Sequence, residues 1–224
     1  MRALEGRRLR RIHRRLLEAY GPRGWWPADT PFEVMVGAVL TQNTAWVNVE
    51  RAIHNLRERE VLSAPALLAL PLQELAAAIR PSGYFNVKAT RLRHLCQWYV
   101  EHGGHDGLDA WDTDALREGL LAVHGIGPET ADDILLYAFR RPVFVIDAYT
   151  RRIYSRLGLI AGDEPYDTLR QAFEAALGPD EPLFNEYHAL IVRHAKVSCS
   201  ARAPRCGSCC LRQICGARRT NFEL

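Results

Sequence analysis

Apolar residues recur at helical spacing along almost the whole chain. Leu9, Ile12 and Leu16 mark the inner face of a helix over about 4–19. Further on, Thr30-Pro31-Phe32-Glu33 has the layout of a capping box, and Val34, Met35, Val36, Ala38, Val39 and Leu40 behind it are almost continuously apolar. That predicts a buried helix ending near Leu40. The same pattern predicts helices over roughly 44–59, 65–80, 86–102, 113–123, 128–139, 148–157, 166–177 and 183–196, each bounded by Pro, Gly, Asp, Ser or Asn. Only Val143–Ile146 suggests a strand, and it is too short to build a sheet. The expected fold class is all-α.

The chain has 224 residues, enough for one large domain or two small ones with a proper core. No apolar run approaches the ~18 residues of a membrane span, and the Arg-rich start lacks the apolar stretch and cleavage site of a signal peptide. A cytoplasmic protein without membrane association is expected. Net charge is only +3, but it is unevenly placed. Seven arginines fall within residues 1–15 (Arg2, Arg7, Arg8, Arg10, Arg11, Arg14, Arg15), and Arg193 to Arg219 holds seven basic residues and no acid. Such concentration marks a phosphate-binding face, and at the N-terminus equally the solvated side of an amphipathic helix. Five of the six cysteines, Cys199, Cys206, Cys209, Cys210 and Cys215, crowd into the last 26 residues, while Cys96 sits in the helical pattern Leu92, Leu95, Cys96, Tyr99 and is expected in the core. In a reducing compartment such crowding reads as a metal site. Four thiolates alone suit either an iron–sulfur cubane or a tetrahedral zinc.

Two segments carry the chemistry. Val123-His124-Gly125-Ile126-Gly127-Pro128-Glu129-Thr130-Ala131 reads as a tight hairpin between two helices. Gly125 and Gly127 are expected to take backbone angles closed to other residues and to leave their amides bare, and Pro128 suits the first position of the following helix. A helix N-terminus with bare amides is a phosphate seat. The second segment, Val145-Ile146-Asp147-Ala148-Tyr149-Thr150-Arg151-Arg152, sets one carboxylate after a short apolar run and ahead of basic residues. Asp147 also stands where it would cap a helix beginning at Ala148. Hairpin and carboxylate together resemble the endonuclease III (helix-hairpin-helix-GPD) superfamily of DNA glycosylases, a likeness that spans nearly the whole chain.

The resemblance implies a two-domain helix-hairpin-helix fold with a C-terminal [4Fe–4S] cluster loop. Residues 1–29 would form an N-terminal helix packed with the cluster domain, 30–140 a six-helix domain bearing the hairpin, and 141–224 the helix of the catalytic Asp with the cluster. Cys199-x6-Cys206-x2-Cys209-x5-Cys215 matches the family's cluster loop and selects Cys209 over Cys210. Arg202 and Arg205, in the short loop between the first two ligands, would meet phosphate. Asp147 would stabilise the oxocarbenium-like sugar and align or deprotonate water. Glu129 holds the position of the lysine with which bifunctional relatives form a Schiff base. Glutamate cannot form an imine, so Glu129 lines a pocket at most or stabilises the first turn of its helix. Gln42, in Leu40-Thr41-Gln42-Asn43-Thr44, matches the residue that fills the gap left by an extruded base. Tyr84, in Gly83-Tyr84-Phe85-Asn86-Val87-Lys88-Ala89, stands at the usual Leu wedge, or simply packs its loop.

Trp25-Trp26-Pro27, the Gln loop followed by Trp46, Pro81-Ser82-Gly83-Tyr84 and Gly127-Pro128-Glu129-Thr130-Ala131 are together closest in motif to 3-methyladenine DNA glycosylase III. In that subgroup, aromatics at the positions of Trp25 and Trp46 sandwich the base, and a cationic 3- or 7-alkylated purine stacks well on indole. Core packing is the competing role for tandem tryptophans. The subgroup's type lacks the cysteines kept here, and cluster-bearing relatives also excise thymine, uracil or oxidised pyrimidines. The expected activity is that of a monofunctional glycosylase for 3-methyladenine or 7-methylguanine, acting as a monomer on double-stranded DNA containing a damaged base, in the bacterial or archaeal nucleoid. A mismatch thymine/uracil or oxidised-pyrimidine glycosylase and a non-catalytic lesion binder are the alternatives.

Overall fold

The computed structural model describes residues 4–217, so Arg2, Arg218 and Arg219 lie outside it. Among the described residues it holds twelve α-helices and three short 3₁₀ turns, with no strand. The chain forms two compact units, one of residues 1–25 with 142–224, the other of residues 26–141.

In the first unit, α1 (Gly6–Tyr20) packs on α11 (Tyr166–Leu177) and α12 (Glu181–Val197), and α12 packs on α10 (Ala148–Arg156). Leu9, Ile12 and Leu16 are buried, as the heptad-like spacing predicts. The arginines of α1 divide. Arg8 and Arg10 donate to the carbonyls of Leu157 and Leu177, at 3.3 and 2.6 Å, which lie at the C-terminal ends of α10 and α11. Arg15 donates to the Cys210 carbonyl at 3.1 Å. Cations at these ends satisfy orphan carbonyls and meet the negative end of the helix dipole. Arg7, Arg11 and Arg14 face solvent.

Val143–Ile146 is buried without regular secondary structure, and among the described residues no strand pairs with it. Side chains satisfy its backbone instead: the Phe144 amide donates to Glu174 at 3.0 Å and the Ile146 amide to the Tyr166 hydroxyl at 3.3 Å. Around it, Phe144 stacks on Phe173 with centroids 4.5 Å apart, and the buried Tyr154 hydroxyl donates to that of Tyr187.

The second unit holds α2 (Pro31–Leu40), α3 (Trp46–Glu58), α4 (Ala64–Ala69), α5 (Leu72–Ala78), α6 (Phe85–Glu101), α7 (Gly104–Asp109), α8 (Thr113–Ala122) and α9 (Pro128–Tyr137). That is eight helices where the sequence pattern predicts six. Pro71 accounts for one, because it forces Leu70 into an extended conformation (φ −66°, ψ 140°) and splits the predicted 65–80 helix. Gly103 and Gly104, both at positive φ, set off the other, α7, from the end of α6. The cap of α2 forms as expected, Thr30 Oγ1 accepting from the Glu33 amide at 3.1 Å. Glu33 itself is buried and pairs with Arg57 of α3 at 2.6 Å. Gly37 lies against the Trp26 indole, where a β-carbon would stand 3.1 Å from Cζ2.

Candidate functional site

In the second unit, three loops are tied together by polar contacts. The hairpin runs from α8 to α9. Gly125 has φ +94° and lies against the Arg91 side chain, so it accepts no β-carbon. Gly127 differs from expectation. Its φ of −97° is open to any residue, and a β-carbon there would meet nothing within 4 Å. What Gly127 supplies is an uncovered amide at the N-terminus of α9 rather than an unusual backbone angle. Glu129 is exposed in the first turn of that helix, where the dipole favours an acid. Inside α9, Asp132 is fully buried and pairs with Arg117 of α8 at 2.7 Å.

Gln42 reaches the hairpin directly. Its Nε2 donates to the Gly125 carbonyl at 3.1 Å and to Thr130 Oγ1 at 3.0 Å, while its Oε1 accepts from Arg91. The residue after it, Asn43, is left-handed with φ +53°. Tyr84 is left-handed too (φ +45°, ψ 32°), and it is 74% exposed. Among the described residues four non-glycine residues have positive φ, Asn43, Glu60, Tyr84 and Arg140, and two of them sit in the loops matched to base extrusion. The bulky Tyr84 is the strained one of that pair. Lys88, behind the Tyr84 loop, is fully buried, with Nζ 2.9 Å from the Leu40 carbonyl and 2.7 Å from that of Ser82. The helical pattern of α6 gave no sign of this residue's position.

The indoles do not all share one environment. Trp26 packs edge-to-face on Trp46 (5.1 Å, 86°) and tilted on Tyr137 (5.2 Å, 56°), and Trp46 Nε1 donates to Glu50 at 2.8 Å. Trp26 and Trp46 are half-buried, and so is Trp25, which belongs to the first unit.

In the first unit, Asp147 is the N-cap of α10 and only 7% exposed. Its Oδ1 accepts from the Thr150 amide at 2.6 Å, and its Oδ2 lies 3.5 Å from His188 Nε2 on α12. Burial works to raise the carboxyl pKa. The contact with His188 and the Thr150 amide outweigh it and hold the group below the ordinary carboxylate range. The result is a buried carboxylate kept ionised, with one oxygen fixed by the cap.

At its other end, α10 grips the cysteine loop. Arg152 Nε donates to the Cys199 carbonyl at 2.9 Å, and Arg156 donates to the carbonyls of Ser200 and Ala201 at 2.8 and 2.9 Å and to Cys199 Sγ at 3.2 Å. Sequence spacing could have flagged these two arginines, since positions i and i+4 share a helix face. Cys199, Cys206, Cys209 and Cys215 all line one cavity of about 190 Å³, with His194, Ile153, Leu157 and Leu211. Cys210 lines a different hollow, with Arg15, Glu18 and Ala19. Among the described residues no three His, Cys, Asp or Glu side chains converge as they would on a single metal ion. Arg202 and Arg205 are exposed on the loop between the first two cysteines, which is tied down by the Arg205 amide donating to the Ser198 carbonyl at 2.8 Å.

Known proteins place this arrangement. The profile of the HhH-GPD superfamily of base excision DNA repair proteins matches residues 36–179. A Methanocaldococcus jannaschii protein provisionally named a DNA repair glycosylase is 45% identical over 92% of this chain and 94% of its own length. The crystal structure of H. pylori 3-methyladenine DNA glycosylase (MagIII) bound to 1,N6-ethenoadenine superposes with a TM-score of 0.74 at 30% identity, over 86% of this chain and 98% of that one. A non-covalent endonuclease III–DNA complex superposes with a TM-score of 0.82 at 22% identity, over 97% and 98%, a likeness of fold. This chain belongs to the helix-hairpin-helix-GPD superfamily of base excision DNA repair proteins.

Proposed function

We propose that the chain is a monofunctional DNA glycosylase whose first substrate is an alkylated purine in double-stranded DNA. The observation that carries the glycosylase reading is Asp147, a buried carboxylate held ionised although burial opposes it. Such a group suits a reaction in which the C1′–N bond breaks with its electron pair leaving on the base. The cationic sugar that results is stabilised by the negative charge, and water then adds at C1′ and gives up a proton. A 3- or 7-alkylated purine is already positively charged, so it leaves without a strong acid. The cluster of half-buried Trp26 and Trp46 with the buried Tyr137 supports this substrate, because electron-rich rings favour a cationic base. Trp25 takes its part in the reading from the motif alone.

In this reading the bare Gly125 and Gly127 amides seat a phosphate, Gln42 and Tyr84 enter the gap left by the flipped base, and Arg202 and Arg205 hold the backbone. Cys199, Cys206, Cys209 and Cys215 would hold a [4Fe–4S] cluster, closing the loop covalently. Four thiols line one cavity, a donor set that suits a cluster or a tetrahedral zinc, and the spacing of the cysteines favours the cluster.

The cysteine loop also favours a second reading, excision of thymine, uracil or an oxidised pyrimidine. A panel of duplexes carrying 3-methyladenine, 7-methylguanine, uracil, thymine opposite guanine and thymine glycol separates the two. Release of methylated purines is expected, and Trp46→Ala should remove about 1–3 kcal/mol of stacking with them. Excision of thymine or uracil alone would hand the protein to the second reading. Strand breaks should appear only after alkali, and borohydride should trap no protein–DNA adduct.

A further inference from the structure

The sequence has 27 arginines and two lysines, Lys88 and Lys196. Lys196 is exposed near the end of α12, where a cation faces the negative end of the helix dipole. Lys88 is 1% exposed, and its ammonium is spent on two backbone carbonyls. In a chain that uses arginine almost everywhere else, the exception marks a place where a planar fork does not fit. A compact head with radial donors can meet two carbonyls converging from different loops, whereas a guanidinium presents its donors in one plane.

The two carbonyls are those of Leu40, the last residue of α2, and Ser82, in the 3₁₀ turn before α6. Gln42 follows the first by two residues and Tyr84 follows the second by two. We propose that Lys88 is a positioning residue for base extrusion: by holding the Leu40 and Ser82 carbonyls on one side-chain nitrogen, it makes the Gln42 and Tyr84 loops a single rigid probe that enters the duplex as a unit. The inference rests on the reading that these loops enter DNA, and adds that neither acts alone. One feature of the loops agrees. Both probe loops turn through a left-handed residue, Asn43, a type that takes this region readily, and Tyr84, whose bulk makes the conformation strained unless the surroundings fix the backbone. Gln42 is further bonded to the hairpin at the Gly125 carbonyl, a tie in which Lys88 takes no part. Burial and the neighbouring Arg91 push the lysine pKa down to about 8. A neutral amine still has two N–H bonds, one for each carbonyl, so the staple survives loss of its charge.

The test uses the full-length protein and a duplex carrying a tetrahydrofuran abasic analogue, with an undamaged duplex as reference. Gln42→Ala and Tyr84→Ala should each lower the preference for the abasic analogue about tenfold, the size expected for one lost interaction. Lys88→Met should lower it at least as far while leaving affinity for undamaged duplex within about twofold, since the hairpin is untouched. Adding Gln42→Ala or Tyr84→Ala to Lys88→Met should then cost almost nothing more. Full additivity in the double variants, or a normal preference in Lys88→Met, would overturn the proposal. If neither Gln42→Ala nor Tyr84→Ala alters the preference, the loop-entry reading itself is wrong. Lys88→Gln, which keeps an N–H₂ group, serves where the Met variant does not fold and should retain part of the preference. Amine acetylation of the wild-type protein, read by mass spectrometry, needs no variant. Lys196 should react as an exposed amine and Lys88 should be protected until the protein unfolds, and equal rates would show that no staple exists.

Discussion

At the residue scale, Asp147 carries both a structural and a chemical duty, and the two can be separated. Asn keeps a cap oxygen for the Thr150 amide but has no charge, so Asp147→Asn should fold with near-normal stability and lose turnover, whereas Asp147→Ala should also give up about 0.5–2 kcal/mol of helix cap. Single-turnover kinetics beside thermal unfolding distinguish these losses. Because the folded pKa is depressed, the stabilisation from this group is complete above the ordinary carboxylate value and is lost as pH falls through the lower folded one. His188→Asn removes the contact that outweighs burial, and should move the acid limb of the rate profile to higher pH. An unmoved limb would mean that another group sets it. Asp147 was legible in the sequence, as apolar run, carboxylate and cap position. His188 was not, because it comes from another helix about forty residues on, and only packing makes the two neighbours.

At the element scale, the periodicity of apolar residues located almost every helix, and the misses have local causes. Pro71 was read through rather than as a stop, and the glycine pair at 103–104 was read as a terminus with nothing after it. The burial of Lys88 escaped because a lone charged residue in a helix reads as a surface position, even between Val87 and Ala89. Its only sequence signal is the rarity of lysine in this chain. The hairpin was legible as a motif, but its two glycines do different work. Gly125→Ala forces a β-carbon into Arg91 at positive φ and should destabilise the fold, while Gly127→Ala should fold normally. Gly127→Asp places a carboxylate beside the bare amide and should weaken binding to every duplex alike. Wild-type affinity in a folded Gly127→Asp protein would show that the hairpin does not meet DNA. Binding isotherms over a range of salt read the same contact as a shallower slope.

At the scale of the whole molecule, the purified protein should be yellow-brown with four irons per chain, as the spacing of Cys199, Cys206, Cys209 and Cys215 implies. Cys210→Ser should keep the colour, because Cys210 lines another hollow, and Cys209→Ser should lose it. One zinc and no iron would refute the cluster. The two-unit organisation brings in a matter of timing. Helix α1 buries Leu9, Ile12 and Leu16 against α11 and α12, yet some 145 residues are translated between the end of α1 and the start of α11. At the usual ~5–20 residues per second of synthesis, α1 waits on the order of ten seconds with its apolar stripe uncovered, while the second unit, contiguous in sequence, is already complete. The six arginines of α1 flank that stripe, and like charges on neighbouring chains oppose association while it is uncovered.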